Sequence, residues 1–195
     1  MTPSPQGGVL LSGGFSSRLG VDKARVMVDG MPLAQRSGDA LQRVCERVIE
    51  VGDGVSSYPH VRESPPGSGP FMAFLAGVDA LMHAGVDLDA GVMLLVCDVP
   101  RMTESVLATI AGTTGESVLV RIGDHLQYGC AKYGSATIAE MRRRAESGER
   151  SFRWLREFGG YTELNESDFG DEHALVFRDL DTPADARELG IDITP

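Results

Sequence analysis

An uninterrupted apolar run, Val92-Met93-Leu94-Leu95-Val96, constrains the fold of this chain more than any other segment. A strand without polar alternation is typical of the centre of a parallel sheet that helices cover on both faces. Shorter and mostly apolar runs begin at Val9 and Val48, and a glycine follows within two residues of the end of each. Because helix-like segments separate these runs, we predict a doubly wound, mostly parallel α/β sheet with helices on both faces.

Periodicity and breaker residues place the other elements along the chain. The predicted strands lie at 9–11, 48–51, 60–62, 92–96, 118–122, 126–133 and 174–177. The predicted helices lie at 32–46, 71–83, from 103 onwards, 135–146, 151–158 and 184–189. No repeat and no shift in composition divides the chain, so we predict a single domain over residues 1–195.

Composition excludes several classes of protein. The 28 acidic and 18 basic residues give a net charge of −10, which disfavours general binding to nucleic acid or to anionic membranes. The three cysteines, Cys45, Cys97 and Cys130, form no C-x-x-C pair and predict neither a zinc cluster nor a disulfide framework. Since the chain begins without a signal-like segment and has no apolar run of membrane-spanning length, we expect a cytoplasmic protein.

A glycine-rich loop follows the first predicted strand and carries two basic residues. Gly13 and Gly14 permit close approach of the backbone to an anion, while Arg18 and Lys23 offer positive charge to phosphates. The loop matches neither the Walker pattern nor G-x-G-x-x-G. From these residues alone, a phosphate-binding loop and a connection with two solvated charges are equally good interpretations.

The stretch from Leu11 to Lys23 resembles L-x-G-G-x-S-x-R-x-G-x-D-K, the signature of the molybdenum cofactor guanylyltransferases. Every fixed position of that pattern is met. Further segments resemble those of the family in the same order along the chain, over roughly residues 7 to 190. They are Asp29-Gly30-Met31-Pro32-Leu33, Gly69-Pro70-Phe71-Met72-Ala73, Cys97-Asp98-Val99-Pro100 and Asp179-Leu180-Asp181-Thr182-Pro183.

This resemblance implies a Rossmann-like nucleotidyltransferase that transfers GMP from GTP to the phosphate of molybdopterin carrying molybdenum. Arg18, Lys23 and Asp98 are implied as the catalytic residues, with Asp98 holding Mg²⁺. Proteins that deliver or accept the cofactor are possible partners. The implied nucleotide-binding residues are Leu11, Ser12, Gly13, Gly14, Lys23, Gly69, Pro70 and Asp98.

Two aspartates have structural alternatives. Asp98, at the end of the central strand, would without the resemblance be read as a residue that caps the turn before Pro100. Asp181 is either a second metal ligand or the N-cap of the last helix. The D-x-D spacing of Asp179 and Asp181 is more usual in cytidylyl- and sugar-phosphate nucleotidyltransferases, which are the alternative enzymes. A nucleotide-binding protein without turnover is the alternative outside the enzymes.

A group of arginines within 142–156 also has two interpretations. Charge runs on helices usually face water, and the functional alternative is a docking site for an anion or a partner. Trp154, within this group, is expected to pack in the core. Cys97 is expected to be a small buried residue rather than a nucleophile.

Overall fold

The computed structural model describes residues 5–13 and 19–193 of the chain. Its strands are β1 Gly7–Leu11, β2 Met27–Val28, β3 Met31–Pro32, β4 Arg47–Val51, β5 His60–Val61, β6 Val92–Val96, β7 Ser117–Ile122, β8 His125–Tyr133 and β9 Tyr161–Asn165. Its α-helices are α1 Leu33–Gln42, α2 Pro70–His83, α3 Glu104–Gly112, α4 Ser135–Glu146, α5 Leu155–Phe158, α6 His173–Val176 and α7 Pro183–Leu189. Three 3₁₀ segments span Lys23–Arg25, Phe152–Trp154 and Glu166–Glu172.

Seven strands form one sheet in the order β5-β4-β1-β6-β8-β7-β9, and β2 and β3 form a separate hairpin. Within the sheet, β8 alone runs against its neighbours β6 and β7, since a tight turn at Gly123 and Asp124 connects it to β7. Leu11 lies in register with both Val51 and Val96, so β1, β4 and β6 end at the same level. Their ends define one carboxyl edge of the sheet.

Apolar side chains cover both faces of the sheet, as the doubly wound prediction requires. Leu10 and Met93 on one face pack with α1 and α3, while Val9 and Leu94 on the other pack with α2 and α4. The central strand β6 is fully buried from Val92 to Leu95. The predicted fold class is therefore confirmed, and the central strand β6 runs parallel to β1 on one side and antiparallel to β8 on the other.

A third apolar cluster joins the two ends of the chain. Leu19, Val28 and Leu33 pack there against Leu180 and Leu189, the second of which belongs to α7. The last helix, α7, therefore packs against the segment that follows the glycine loop. No helix within 5–13 and 19–193 is long and apolar enough to cross a membrane.

The prediction of a final strand at 174–177 is wrong. His173–Val176 forms the short helix α6, and Phe177 packs with its ring centroid 5.3 Å from that of Phe169. A short apolar run is compatible with either helical or strand periodicity, and here the tertiary contacts of the run favour a helix.

The sheet instead gains β9 at its edge, which was not predicted because its sequence is largely polar. Its pairing with β7 is reinforced by Arg121, which donates two hydrogen bonds to Glu163 at 2.6 and 2.7 Å.

Candidate functional site

Lys23 brings together two carboxylates from distant parts of the chain. Its ammonium lies 3.4 Å from Oδ2 of Asp98 and forms a shorter contact with Oδ1 of Asp181. The lysine side chain is only 13% exposed, so these charges meet in a partly desolvated place. Three residues selected from the sequence are therefore assembled beside the end of β6.

Local structure fixes the position of Lys23. It opens a 3₁₀ helix whose N-cap, Asp22, accepts a hydrogen bond from the backbone N–H of Ala24 at 3.0 Å. Arg25 then forms an ion pair with Asp22 at 3.2 Å. Asp22 of the D-K pair thus acts as the cap that presents the lysine.

Backbone contacts place the two aspartates side by side. Asp98 comes directly after β6 and Cys97, and its carbonyl accepts a hydrogen bond from the N–H of Leu180 at 2.7 Å. Leu180 is fully buried and precedes Asp181, so its packing directs that carboxylate towards Lys23.

The N-cap of α7 is Thr182, whose side chain accepts from the N–H of Asp185. The structural alternative for Asp181, the N-cap of this helix, is therefore wrong.

The charges of this cluster perturb one another. Burial lowers the pKa of Lys23, but the hydrogen bond with Asp181 and the charges of Asp98 and Asp181 outweigh it, and the net pKa is raised. Asp179 is exposed, yet desolvation by the surrounding protein and then the charges of Asp98 and Asp181 raise its pKa to about 6. The site thus holds more negative charge than one lysine balances, which favours a bound cation.

One oxygen of Asp98 is suited to a cation. Oδ1 is buried and has no hydrogen-bond partner among the described residues, although a buried carboxylate oxygen normally has one. No group of three or more acidic, histidine or cysteine side chains within 5–13 and 19–193 forms a metal cage. This donor set fits Mg²⁺, which commonly takes one or two carboxylates and completes its shell with waters and substrate phosphates.

The first part of the glycine loop is held against β4. The backbone N–H groups of Ser12 and Gly13 both donate to the carbonyl of Val51, at 3.0 and 3.2 Å. The side chain of Leu11 is in the core, so any ligand contact from Leu11 would come from its backbone. Gly14 and Arg18 lie outside the described residues, and their predicted roles stay predictions.

The start of α2 reaches the same edge of the sheet. Gly77 packs against Val9, where an added Cβ would lie 2.5 Å from a methyl group, and Gly7 packs against Leu81 near the end of the helix. α2 therefore runs opposite to β1, and Gly69 and Pro70 stand at the carboxyl edge. Gly69 has a positive φ of 87°, which glycine adopts without strain.

The three arginines of this group that lie on α4 are paired with acidic side chains. Arg142 forms an ion pair with Asp79 at 2.5 Å, and Arg143 and Arg144 both contact Glu140. The Arg144 guanidinium also lies 4.2 Å from the ring centroid of Trp154. For these three arginines, the contacts favour the interpretation as a paired helix surface.

The two residues expected in the core are there. Trp154 is buried in the core, as predicted. Cys97 is also buried, as predicted, and burial raises the pKa of its thiol.

Two acidic residues near this edge did not stand out in the sequence. Glu50, within the apolar strand β4, is completely buried and bonded to Ser12. The sequence feature that could have identified Glu50 is a charged residue inside an otherwise apolar strand. Asp179 was noticed only as part of D-x-D, and its proximity to Asp98 depends on the tertiary contact of Leu180.

Ligands of doubly wound sheets bind beyond the carboxyl ends of the strands, where this chain gathers its glycine loop, ammonium and carboxylates. Fold and site define an α/β nucleotidyltransferase. More particularly, the chain belongs to the MobA-like NTP transferase domain family, whose model matches residues 8–160.

A curated relative agrees with this membership, and two solved structures share the fold. A Rhodopirellula baltica protein named probable molybdenum cofactor guanylyltransferase is 31% identical and covers 94% of this chain and 90% of its own length. The crystal structure of molybdopterin-guanine dinucleotide biosynthesis protein A from Archaeoglobus fulgidus has a TM-score of 0.73 at 19% identity, over 94% of this chain and 96% of its own. A Mycobacterium tuberculosis protein solved with manganese has a TM-score of 0.63 at 15% identity, over 94% and 96%.

Proposed function

We propose that the protein transfers GMP from GTP to the phosphate of molybdopterin carrying molybdenum and releases pyrophosphate. The observation that carries this proposal is the assembly of Lys23, Asp98 and Asp181 at the carboxyl edge of the sheet, in a chain whose relative bears the guanylyltransferase name. The L-S-G-G sequence at 11–14 supports guanine over cytosine, since it resembles the guanylyl branch of the fold.

The proposed reaction is an in-line displacement at the α-phosphorus. A phosphate oxygen of the acceptor forms the new P–O bond, and the bond to the bridging oxygen of the β-phosphate breaks as pyrophosphate leaves. Because the nucleophile is already an anionic oxygen, no general base is required. Catalysis then depends on positioning and on stabilising charge.

Lys23 is proposed to contact the phosphates as a compact positive charge, together with Arg18. Asp98, with Asp181 beside it, is proposed to hold Mg²⁺ through its unpartnered oxygen. Mg²⁺ bound there offsets the charge of the triphosphate. The three cysteines are free and buried, which suits a reducing compartment, so the proposal includes a cytoplasmic location.

The test compares nucleotides in thermal melts and in transfer. At about 100 times its Kd, GTP with Mg²⁺ should stabilise the fold by roughly 2.7 kcal/mol, and equal concentrations of CTP, ATP and UTP should stabilise it less. Single-turnover assays with molybdenum-loaded molybdopterin should then release pyrophosphate from GTP. A larger shift and faster release with CTP would assign the chain to the cytidylyltransferases, and binding without release would indicate a silent nucleotide-binding protein.

A further inference from the structure

Glu50 is a fully buried carboxylate that the proposed reaction does not use. It lies on β4 between Leu10 of β1 and His60 of β5. Its neighbours on that face of the sheet, such as Leu10 and Val48, are buried and apolar. Burying a carboxylate costs free energy unless hydrogen bonds from the protein replace those from water. The donors around Glu50 therefore identify the parts of the chain that it connects.

Four hydrogen bonds from two loops converge on this carboxylate. The hydroxyl of Ser12, after β1, donates to Oε1 at 2.5 Å. The N–H of Val55, after β4, donates to Oε1 at 3.0 Å, and the N–H of Ser56 donates to Oε2 at 2.8 Å. The hydroxyl of Ser56 adds a further short bond to Oε2. Glu50 therefore joins the start of the glycine loop to the loop after β4.

The bond to Ser12 has a consequence beyond packing. Ser12 is 5% exposed and its hydroxyl is directed at Glu50, so its side chain is not available to a ligand. Its backbone, however, leads directly into Gly13 and the rest of the glycine loop. Gly52 approaches so closely that an added Cβ would lie 2.2 Å from the Ser12 hydroxyl oxygen, which leaves Ser12 little room to move.

We propose that Glu50 is a positioning residue for nucleotide binding: acting through the Ser12 hydroxyl, it holds Ser12 and Gly13, where the glycine loop begins, at the carboxyl edge of the sheet where GTP is proposed to bind. This inference rests on the proposed function. A backbone segment that is held in place before binding loses less conformational entropy when the ligand arrives, which raises affinity. The same loop contacts serve the ground state and the transition state, so the loss of Glu50 or Ser12 should raise KM and leave kcat nearly unchanged.

Two serine variants test the positioning role of Glu50, because each serine donates a hydrogen bond to its carboxylate. Ser12→Ala and Ser56→Ala each remove one hydroxyl donor to Glu50, and only the first lies on the glycine loop. Ser12→Ala should raise the Kd of GTP, measured by calorimetry, and its KM by about tenfold, with kcat within about twofold of wild type. Ser56→Ala should keep Kd and KM within about twofold, while thermal melts show similar destabilisation of both variants.

A double-mutant cycle asks whether Ser12 acts through Glu50. Glu50→Gln removes the negative charge and replaces one carboxylate oxygen with an amide NH₂ group, which would face hydrogen-bond donors of the protein. We therefore expect Glu50→Gln to raise the KM for GTP, as Ser12→Ala does. Adding Ser12→Ala to Glu50→Gln should then raise KM by less than the product of the two single effects. The serine pair carries the test even if Glu50→Gln does not fold.

Equal KM values in Ser12→Ala and Ser56→Ala would overturn the inference, as would a loss confined to kcat. Its failure is separable from failure of the proposed function, because the comparison is run with whichever nucleoside triphosphate the wild type binds most tightly. If the wild type binds CTP in place of GTP, the guanylyl proposal fails and the serine pair still decides the role of Glu50. If it binds no nucleoside triphosphate, both proposals fail.

Discussion

Asp98 and Glu50 are carboxylates near the same edge of the sheet. They differ in how many of their oxygens accept hydrogen bonds from the protein. Both oxygens of Glu50 accept hydrogen bonds from the protein, whereas Oδ1 of Asp98 is buried without a partner among the described residues. A carboxylate whose two oxygens both accept hydrogen bonds from the protein stabilises the structure. A carboxylate with an oxygen that lacks such a partner is available to a ligand. At the scale of single residues, this difference separates the proposed positioning residue Glu50 from the proposed metal ligand Asp98.

Asp98→Asn should fold and bind GTP while losing most of its transfer activity. The change keeps the shape of the side chain but removes its negative charge, so the Mg²⁺ proposed to bind there would be held less well. Such losses are commonly about 10² in rate. Single-turnover pyrophosphate release across a Mg²⁺ and Mn²⁺ titration should show partial rescue at high metal.

The matched control for this variant is Asp89→Asn, an exposed position before β6 that should behave as wild type. Wild-type rate and metal dependence in Asp98→Asn would mean that the metal is held elsewhere.

Glu50 should also make stability depend on pH. Burial raises its pKa, but the hydrogen bonds from Ser12, Ser56 and Val55 outweigh burial and lower the net pKa below 4.5. A carboxyl with a lowered native pKa contributes stability that is fully present above its unfolded pKa and is lost as pH falls through the native value.

The unfolding free energy of wild type should therefore exceed that of Glu50→Gln by about 1–3 kcal/mol at pH 7, and this difference should begin to shrink as the pH falls below about 4. Urea unfolding at several pH values measures it. A gap that stays constant down to pH 3 would contradict an ionised Glu50.

At the scale of elements, helix α7 shows how a local signal supports a distant site. Seven residues form a helix that is marginal by itself. A capping box holds its start, because Thr182 accepts from the N–H of Asp185 and Asp185 accepts from the N–H of Thr182 at 2.8 Å. The preceding residue is Asp181, so the start of the helix also determines where that carboxylate lies.

Thr182→Ala should lower stability by about 1 kcal/mol, the usual effect of losing an N-cap side chain. Thr182→Ser keeps the hydroxyl and should remain close to wild type in the same thermal melts. Equal melting temperatures for the alanine and serine variants would show that packing of Leu180 and Leu189 alone holds this helix.

At the scale of the whole molecule, the site depends on packing between the two ends of the chain. Leu180 is fully buried in the cluster with Leu19 and Leu33, and its N–H bonds the carbonyl of Asp98. The carboxyl-terminal segment therefore completes the site with Asp181. The family model ends at residue 160, before this segment.

Leu180→Ala should cost about 2–5 kcal/mol, because a cavity replaces a fully buried side chain. Leu175→Ala makes the same change at a residue that is 52% exposed, and it should cost less than about 0.5 kcal/mol. Denaturant unfolding of the two variants measures both values. Similar losses in both would show that the third cluster contributes nothing specific to stability.

The sequence by itself determined the features that depend on neighbouring residues: the buried run of β6, the helical periodicity of α4 at Ser135–Glu146, and the buried strand β1. These follow from local periodicity and conformational preference, which a linear pattern records. The edge strand β9, the helix α6 and the contacts of Lys23 with Asp98 and Asp181 were decided by tertiary structure. A polar strand needs a partner strand, a short apolar run takes the form that its packing selects, and an ion pair between distant residues requires the chain to fold first.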